Sequence, residues 1–183
     1  MKLDLSFWRN ASSKRKRFYS IILIFIIAVI ITVIGSFTPV SHQDALTISN
    51  DLNATLNTNK SSNTLTQYIF FNNFKICLLM FIPIIGPILG FGILYNTGIA
   101  LGAISSVQGY PVAVDLLSLV LTPVFWLEFT AYSAAIATSI WLTRRLIQRR
   151  WLELKNTAIL IGICAGILIM GAIVEVWLIT AFG

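Results

Sequence analysis

Long apolar stretches limit the fold of this chain more than any other feature of its sequence. The first is an Ile-rich run over residues 18–37, and about 20 apolar residues are enough for a helix to cross the hydrocarbon core of a bilayer. Only 11% of the residues are charged and 57% are hydrophobic, whereas a soluble domain averages about 25% charged residues. Lipid must therefore be the solvent for much of the surface, and the sequence predicts an all-α, polytopic transmembrane helix bundle.

The positive charge is concentrated at the edges of the apolar stretches. Of the 13 Lys and Arg residues, nine lie in two clusters, which are residues 14–17 and the group Arg144, Arg145, Arg149, Arg150 and Lys155. Basic residues that flank spans are typical of the cytoplasmic side of a membrane protein. The net charge of +6 therefore indicates orientation in the bilayer or contact with lipid headgroups, and we expect no nucleic-acid partner.

The N-terminal segment is predicted to be a membrane anchor. Residues 1–17 form a basic head, and the first span follows at residues 18–40. A cleaved signal peptide would also place a basic segment before an apolar run. The run here is longer than a typical signal core, and no small-x-small cleavage pattern follows it. A retained anchor with a cytoplasmic head is therefore the favoured interpretation.

Residues 41–66 change abruptly to Asn, Thr, Ser and a few charged side chains. This composition predicts a water-exposed, extracytoplasmic loop with at most a little helix. Asn53 and Asn59 each begin an Asn-x-Ser/Thr sequon. Whether either is glycosylated depends on the organism and stays open.

Residues 67–183 are predicted to form a single membrane domain of four further spans. The apolar stretch that opens this domain is too long for one crossing, and Pro83, Gly86 and Pro87 interrupt it. Proline removes a backbone donor and clashes with the preceding turn. The sequence therefore predicts a helical hairpin with a tight apolar elbow, whose two spans are residues 67–82 and 86–107.

The second half of this domain begins with a segment that is too short to cross. Residues 111–121 are predicted to form a half-helix or an interfacial helix. Thr122 and Pro123 then suit the N-cap and first position of a new helix, so that a fourth span covers residues 123–143. One kinked helix through Pro123 is the alternative. The fifth span covers residues 157–182.

The two basic clusters constrain the number of crossings. Five crossings, with the N-terminus in the cytoplasm and the C-terminus outside, place both clusters on the cytoplasmic side. We therefore expect a multi-pass protein of the cell membrane with this orientation.

Glycines recur at four-residue spacing in the third and fifth predicted spans. This spacing lets helix backbones approach closely, and close approach drives helix association in lipid. The predicted helix-packing glycines are Gly86, Gly90, Gly98, Gly102, Gly162 and Gly166. Their partner, either another helix of the chain or a second copy of it, stays open, and self-association is one expectation.

Four polar groups lie inside apolar spans: Lys75, Asn96, Glu128 and Glu175. A charge at a helix centre costs roughly 2.5–3.5 kcal/mol in a bilayer, so these groups need partners. Small neighbours on the helix faces of Asn96 and Glu128 indicate that both faces meet another helix. We predict a buried polar cluster with Lys75 paired to Glu175 or Glu128. An ion pair that fixes helix register and a proton, ion or substrate site both remain open.

Catalytic and metal-binding patterns are nearly absent from the sequence. The only histidine, His42, lies at the start of the polar loop. Cys77 and Cys164 lie in apolar runs without metal-ligand or redox spacing, and are predicted to pack as small hydrophobes. No nucleophile elbow, P-loop or His-Glu-x-x-His motif is present. We therefore expect no enzyme activity, no cofactor and no metal site.

The middle of the chain resembles a known family of membrane proteins. Phe71-Asn72-Asn73 is followed by Tyr95-Asn96-Thr97-Gly98 with Gly102, and then by Pro123 with Glu128 five residues later. Over about residues 66–150, this order is similar to the stage II sporulation protein M family. The resemblance adds Asn72 and Asn73 to the candidate polar cluster beside Asn96 and Glu128. The family stretch Pro-His-Gly-x-x-Glu here has Val124 and Phe125 in place of His and Gly, so a role for that histidine does not carry over.

The resemblance implies a multi-span helical protein, and its named bacterial member works with partners in an envelope-remodelling complex during sporulation. Relatives also occur where no sporulation takes place, so the family name does not fix the process. We expect a structural or accessory subunit of a larger membrane complex. The alternative is a small transporter or channel component with a polar site around Glu128, because interrupted helices often form membrane binding sites. An intramembrane enzyme is the least favoured class.

Overall fold

The structure is a computed structural model that describes residues 12–58 and 62–182. All regular elements in these residues are helices, so the all-α prediction is confirmed. Most of the basic head and the sequon at Asn59 lie outside the described residues. The helices, in chain order, are α1 Ser13–Ser36, α2 His42–Thr58, α3 Ser62–Met80, α4 Ile85–Gln108, α5 Val112–Leu121, α6 Pro123–Ile147 and α7 Glu153–Phe182.

Three of these helices, α1, α4 and α7, are long and apolar enough to cross a membrane. The pair α5 and α6 would add a fourth span if both belong to one crossing. Helix α3 does not join this group, and it carries Asn72, Asn73 and Lys75. The structure thus contains three or four helices suited to a membrane, and the count of five crossings stays a prediction.

The predicted elbow between α3 and α4 is anchored to α6. Ser139 Oγ donates a hydrogen bond to the carbonyl of Ile82 at 2.6 Å, and the Ile84 amide donates to Thr143 Oγ1 at 3.0 Å. Ile84 has a positive φ of 70°, which β-branched residues rarely adopt. A Cβ on Gly86 would lie 2.2 Å from the carbonyl oxygen of Met80. Glycine therefore permits the tight turn, and the two hydroxyls satisfy backbone groups that the break in the helix frees.

Helices α1 and α4 meet along a seam of small residues. A Cβ on Gly98 would lie 2.1 Å from the Thr32 carbonyl oxygen, and one on Gly102 would lie 2.3 Å from that of Ser36. The buried Thr32 hydroxyl also donates to the Leu94 carbonyl at 3.2 Å. The backbones can approach this closely only because no side chain intervenes.

The other predicted packing glycines divide into two groups. On α4, Gly86 and Gly90 face Met80 and Ile136. On α7, a Cβ at Gly162 or Gly166 would meet nothing within 4 Å in the described parts of the chain, so this pair lies open on the surface. The reason is that α7 packs on its neighbours through a different face, which includes the buried residues Cys164, Leu168, Ala172 and Val176.

The segment predicted as a polar loop is mostly helical, which corrects the expectation of little helix. Ser41 caps α2: its hydroxyl accepts from the Asp44 amide at 3.2 Å and donates to the Asp44 carboxylate at 2.6 Å. The first bond is an N-cap contact, and the second joins the two side chains over a Ser-x-x-Asp spacing. Ala45 is fully buried, and α2 packs against α4. Composition alone hid this helix because Asn, Thr and Ser are poor helix formers.

The short helix predicted before Pro123 is confirmed as α5, and it meets α6 at an angle of 82°. Pro123 occupies the start of α6 as expected, although the Thr122 hydroxyl donates back to the Leu119 carbonyl and does not cap α6. Asp115 fixes α5 to α4 by accepting a hydrogen bond from Ser105 Oγ at 2.5 Å. Because of this bend, α5 and α6 are two separate helices, and the alternative of one kinked helix is wrong.

Candidate functional site

The candidate site is a cavity of about 420 Å³ at the end of the bundle where α2 lies. Four helices contribute to it: α2, α3, α6 and α7. Its lining combines acidic and amide side chains with a few apolar ones: Asp51, Leu52, Thr55, Leu65, Tyr68, Ile69, Asn72, Asn73, Glu128 and Glu175.

Three carboxylates face this cavity, and none of its described lining residues is basic. Glu128 lies on the second turn of α6, because Pro123 begins that helix. Glu175 lies about two turns before the end of α7, and Asp51 lies in the second half of α2. The opposite directions of α6 and α7 bring these positions to the same end of the bundle. The result is a cavity lined by three carboxyl groups.

Asn73 connects α3 to this acidic group. Its Nδ2 amide donates a short hydrogen bond to Glu128 Oε1, and its Oδ1 accepts from Asn72 Nδ2 at 3.5 Å. A buried acceptor that loses its donor costs roughly 1–3 kcal/mol. Asn73 therefore holds the Glu128 side chain in place.

Lys75 does not join the cluster, which corrects the predicted pairing with Glu128 or Glu175. Its side chain is exposed, and it has no ion-pair partner among the residues the structure describes. Lys75 is two residues from Asn73, and a helix turns by about 200° over two residues. Lys75 therefore lies on the opposite side of α3 from Asn73, the residue that contacts Glu128.

Asn96 is also outside the cluster, and for the same geometric reason. It is two residues from Gly98, whose face packs against α1, so the Asn96 side chain points away from that seam and is exposed. Of the six predicted cluster residues, the structure thus brings together Asn72, Asn73, Glu128 and Glu175, and leaves Lys75 and Asn96 on the outer surface.

The floor of the cavity is closed by neutral side chains. One helical turn beyond Glu128, the Ala131 carbonyl oxygen lies 4.0 Å from Cys77 Sγ and 3.7 Å from Cys164 Sγ. All three residues are buried to within 1% of full coverage. Both cysteines are free thiols that pack in the core. The cavity is therefore blind at this level of the bundle.

Sequence reasoning missed the contribution of α2, which brings Asp51 and Thr55 to the rim of the cavity. The Ser41 to Asp44 capping spacing was the available signal for this helix. The meeting of Cys77 and Cys164 at Ala131 had no sequence signal, since it depends on how α3 and α7 pack against α6.

The chemistry of this cavity suits a cation. Carboxylates and amide oxygens accept hydrogen bonds from ammonium or guanidinium groups. In the described ranges no three His, Cys, Asp or Glu side chains are grouped so that they would hold a metal ion. A protonated amine or a guanidinium group is one ligand class that such acceptors suit.

The opposite end of the bundle collects the basic residues. Arg17 of α1 forms an ion pair with Glu153 of α7, with 2.6 Å between Nη1 and Oε1. The guanidinium groups of Arg17 and Arg144 both lie within 6 Å of the ring centre of Trp141. Both basic clusters thus meet at one end, as the topology argument requires of clusters on one side of a membrane.

The two positions that depart from the family motif are part of the core. Val124 and Phe125 are buried, and the Phe125 ring contacts those of Phe25 and Phe129 with centroid separations of 6.2 and 4.4 Å. These side chains stabilise the contact between α1 and α6. Glu128, in contrast, keeps the position that the motif gives it and faces the cavity.

Comparison with known proteins identifies the family. No curated protein and no solved structure matches the chain. The model of the stage II sporulation protein M family matches residues 20–179, which extends the resemblance well beyond the middle of the sequence. With most of its length matched, including the cavity residues from Asp51 to Glu175, the chain belongs to the stage II sporulation protein M family.

Proposed function

We propose that this chain is an accessory subunit of a larger membrane complex, and that its acidic cavity receives a cationic group of a partner subunit. The observation that carries the proposal is the set of carboxylates around the cavity, whose described lining contains no basic residue. Uncompensated charge inside a membrane bundle is costly. A Lys or Arg side chain from a partner would offset that cost and make binding specific.

The outer surface of the bundle supports the same proposal. Lys75 and Asn96 are exposed on helices that are otherwise mostly apolar. Polar side chains that face lipid are unfavourable, and contact with another membrane helix would satisfy them. The open pair Gly162 and Gly166 on α7 would allow a partner helix to approach closely.

The orientation follows from the charge distribution. The basic end around Arg17 and Arg144 is assigned to the cytoplasm by the positive-inside rule. The acidic cavity then opens on the extracytoplasmic side, next to α2. A chain of five crossings, with its C-terminus outside, fits this arrangement.

A transporter component is the second candidate. It is favoured by the sharp break between α5 and α6, because Glu128 lies only five residues beyond Pro123, and broken helices often surround membrane binding sites. The closed floor at Cys77, Ala131 and Cys164 argues against an open channel and favours a receptor-type cavity.

The deciding experiment compares Glu128→Gln and Glu175→Gln with Asp44→Asn. All three exchange a carboxylate for an amide, but Asp44 lies in the first turn of α2 outside the cavity, and in the Asn variant its backbone amide can still donate to the Ser41 cap. The chain is purified in mild detergent from its own host, and co-purifying proteins are quantified by mass spectrometry. The proposal expects a stoichiometric partner that both cavity variants lose and Asp44→Asn retains, with unchanged melting temperatures.

The same variants separate the second candidate. If the partner stays bound but ion or proton flux into proteoliposomes falls, the transporter function holds instead. If both partner binding and flux are unaffected, both candidates are wrong. A reporter after Gly183 that is accessible only from the cytosol would reject the orientation.

A further inference from the structure

The turn between α6 and α7 forms a basic groove of about 770 Å³ at the end opposite the acidic cavity. Four cationic side chains line it: Arg145, Arg149, Arg150 and Lys155. Glu153 is the one acidic residue in the described lining, and Arg17 already neutralises it. The groove therefore presents about four positive charges that no carboxylate of its own lining balances.

Arg145 lies deepest among these cations, at the last turn of α6. Its Nη1 donates to Gln148 Oε1 at 3.4 Å, and its Nε is buried without a hydrogen-bond partner in the described structure. A buried donor that lacks an acceptor is unfavourable. A ligand with several acceptor oxygens would satisfy it.

Arg149 has a left-handed backbone conformation that glycine adopts more readily than other residues. It has a φ of 56°, and it follows the last turn of α6. Its amide donates to the Leu146 carbonyl, and the Arg150 amide donates to the Arg145 carbonyl. This is the double hydrogen bond of a Schellman cap, whose left-handed residue is usually glycine. An arginine here accepts backbone strain, and strain of this kind is typical of functional positions.

The surroundings of the groove are suited to a membrane surface. Trp151, Leu152 and Ile147 are 66%, 85% and 77% exposed. Tryptophan is enriched at the level of lipid headgroups, and exposed apolar side chains beside it can enter the boundary of the acyl chains. The cations are thus held where phosphate groups of lipids are found.

We infer that this groove binds the phosphate group of an anionic membrane lipid. Guanidinium groups contact phosphate oxygens through paired, charge-assisted hydrogen bonds. Basic pockets between membrane helices on the cytoplasmic side bind anionic headgroups in this way. The inference is independent of the acidic cavity and goes beyond the proposed subunit function. Free phosphate has the same oxygen chemistry and is the competing source.

The key variant is Arg149→Gly, because it removes one cation and relieves the backbone strain. The full-length chain in a zwitterionic detergent is titrated with short-chain phosphatidylglycerol, and bound lipid is counted by native mass spectrometry. We expect roughly fivefold weaker binding, together with a melting temperature that is unchanged or higher. The matched control is Lys14→Gly, which removes an exposed cation at the same end of the bundle but outside the groove, and it should bind lipid as the parent does.

Four results would overturn the inference. Equal weakening by Arg149→Gly and Lys14→Gly would mean diffuse attraction without a site. Unchanged lipid binding in Arg149→Gly would give Arg149 no role in it. Displacement of the lipid by inorganic phosphate at equal concentration would assign the groove to free phosphate. Short-chain phosphatidylcholine, whose headgroup carries no net charge, should bind more weakly than phosphatidylglycerol, and equal binding would also reject an anionic-lipid site.

Discussion

The two ends of the bundle carry different ionisable side chains, acidic at one end and mostly basic at the other. The end next to α2 gathers three carboxylates around a cavity without a basic residue in its described lining. The turn between α6 and α7 gathers four cations around a groove whose one acid is already paired with Arg17. Apart from the ion pair of Arg17 and Glu153, the described acidic residues of the cavity and the basic residues of the groove lie at opposite ends. This separation supports the proposal that both groups of side chains meet molecules outside the chain.

Between the two ends, neutral contacts hold the helices. The seam of Gly98 and Gly102 joins α1 to α4, and the rings of Phe25, Phe125 and Phe129 join α1 to α6. These contacts depend on shape, so we expect them to survive changes of charge at either end. Variants in the middle of the bundle should therefore affect stability most, and variants at the two ends should affect it less.

The largest expected effect comes from Gly98→Ala, which would disrupt the close contact between α1 and α4 in the middle of the bundle. The new Cβ would lie 2.1 Å from the Thr32 carbonyl oxygen, a backbone atom that cannot move independently. We expect a loss of about 3 kcal/mol, at the upper end of overpacking effects, measured by chemical denaturation in detergent micelles. Gly92→Ala is the matched control, since nothing lies within 4 Å of its added Cβ among the described atoms. Equal stability of the two variants would contradict the close seam.

Asn73→Ala tests the acidic end of the bundle. This change removes the donor to Glu128 and should cost about 2 kcal/mol of folding free energy, within the usual range for a buried acceptor that loses its donor. Asn72→Ala is the neighbouring control: Asn72 is exposed, and its described hydrogen bond to the Asn73 amide is long, at 3.5 Å, so we expect little change. If both variants unfold at the same denaturant concentration, Asn73 does not hold the carboxylate.

The basic end is tested by Arg17→Gln, which removes both the ion pair with Glu153 and the contact with Trp141. Because Arg17 is 32% exposed, we expect a loss of only about 1 kcal/mol. The loss should shrink in high salt, since solvent ions screen partly exposed pairs. Lys14→Gln, with the same change in charge, should have no comparable effect. A salt-independent loss would point to packing as the cause.

The smallest effect concerns the turn between α4 and α5. Asp115 accepts a hydrogen bond from Tyr110 Oη, and this bond raises the pKa of the Tyr110 phenol above its usual value. The neutral phenol is thus favoured in the folded chain, so its stabilising contribution is present below the ordinary phenol pKa of about 10 and is lost as the pH rises through the raised pKa. Asp115→Asn should lower that pKa in an ultraviolet titration, with Tyr110→Phe identifying the signal. An unchanged pKa would reject the assignment.

The breaks in the fold were predictable from the sequence because their causes are local. Proline at positions 83 and 123 removes backbone donors wherever it stands in a helix, and both breaks occur where expected. The capping spacing of Ser41 and Asp44 is equally local, and it would have revealed α2 had it been weighed against the polar composition.

The candidate site was only partly predictable, because the sequence shows which side chains are polar but not which neighbouring helix each of them meets. Glu128 and Glu175 reach the cavity as expected for carboxylates in apolar helices. Lys75 and Asn96 do not, since each lies about 200° around its helix from the face that packs. A sequence reports that a polar side chain is costly in a membrane helix, but which neighbour covers it depends on packing among residues far apart in the chain.

The hydrogen bond between Thr32 and Leu94 has a consequence for biosynthesis. It joins residues 62 positions apart, and ribosomes add about 5–20 residues per second. The first helix is therefore made some 3 to 12 seconds before the backbone it docks against exists. During that interval the small-residue face of this helix at Gly35 has no packing partner within the nascent chain. The machinery that inserts the polypeptide into the membrane must therefore accommodate a helix that is not yet packed against its neighbour.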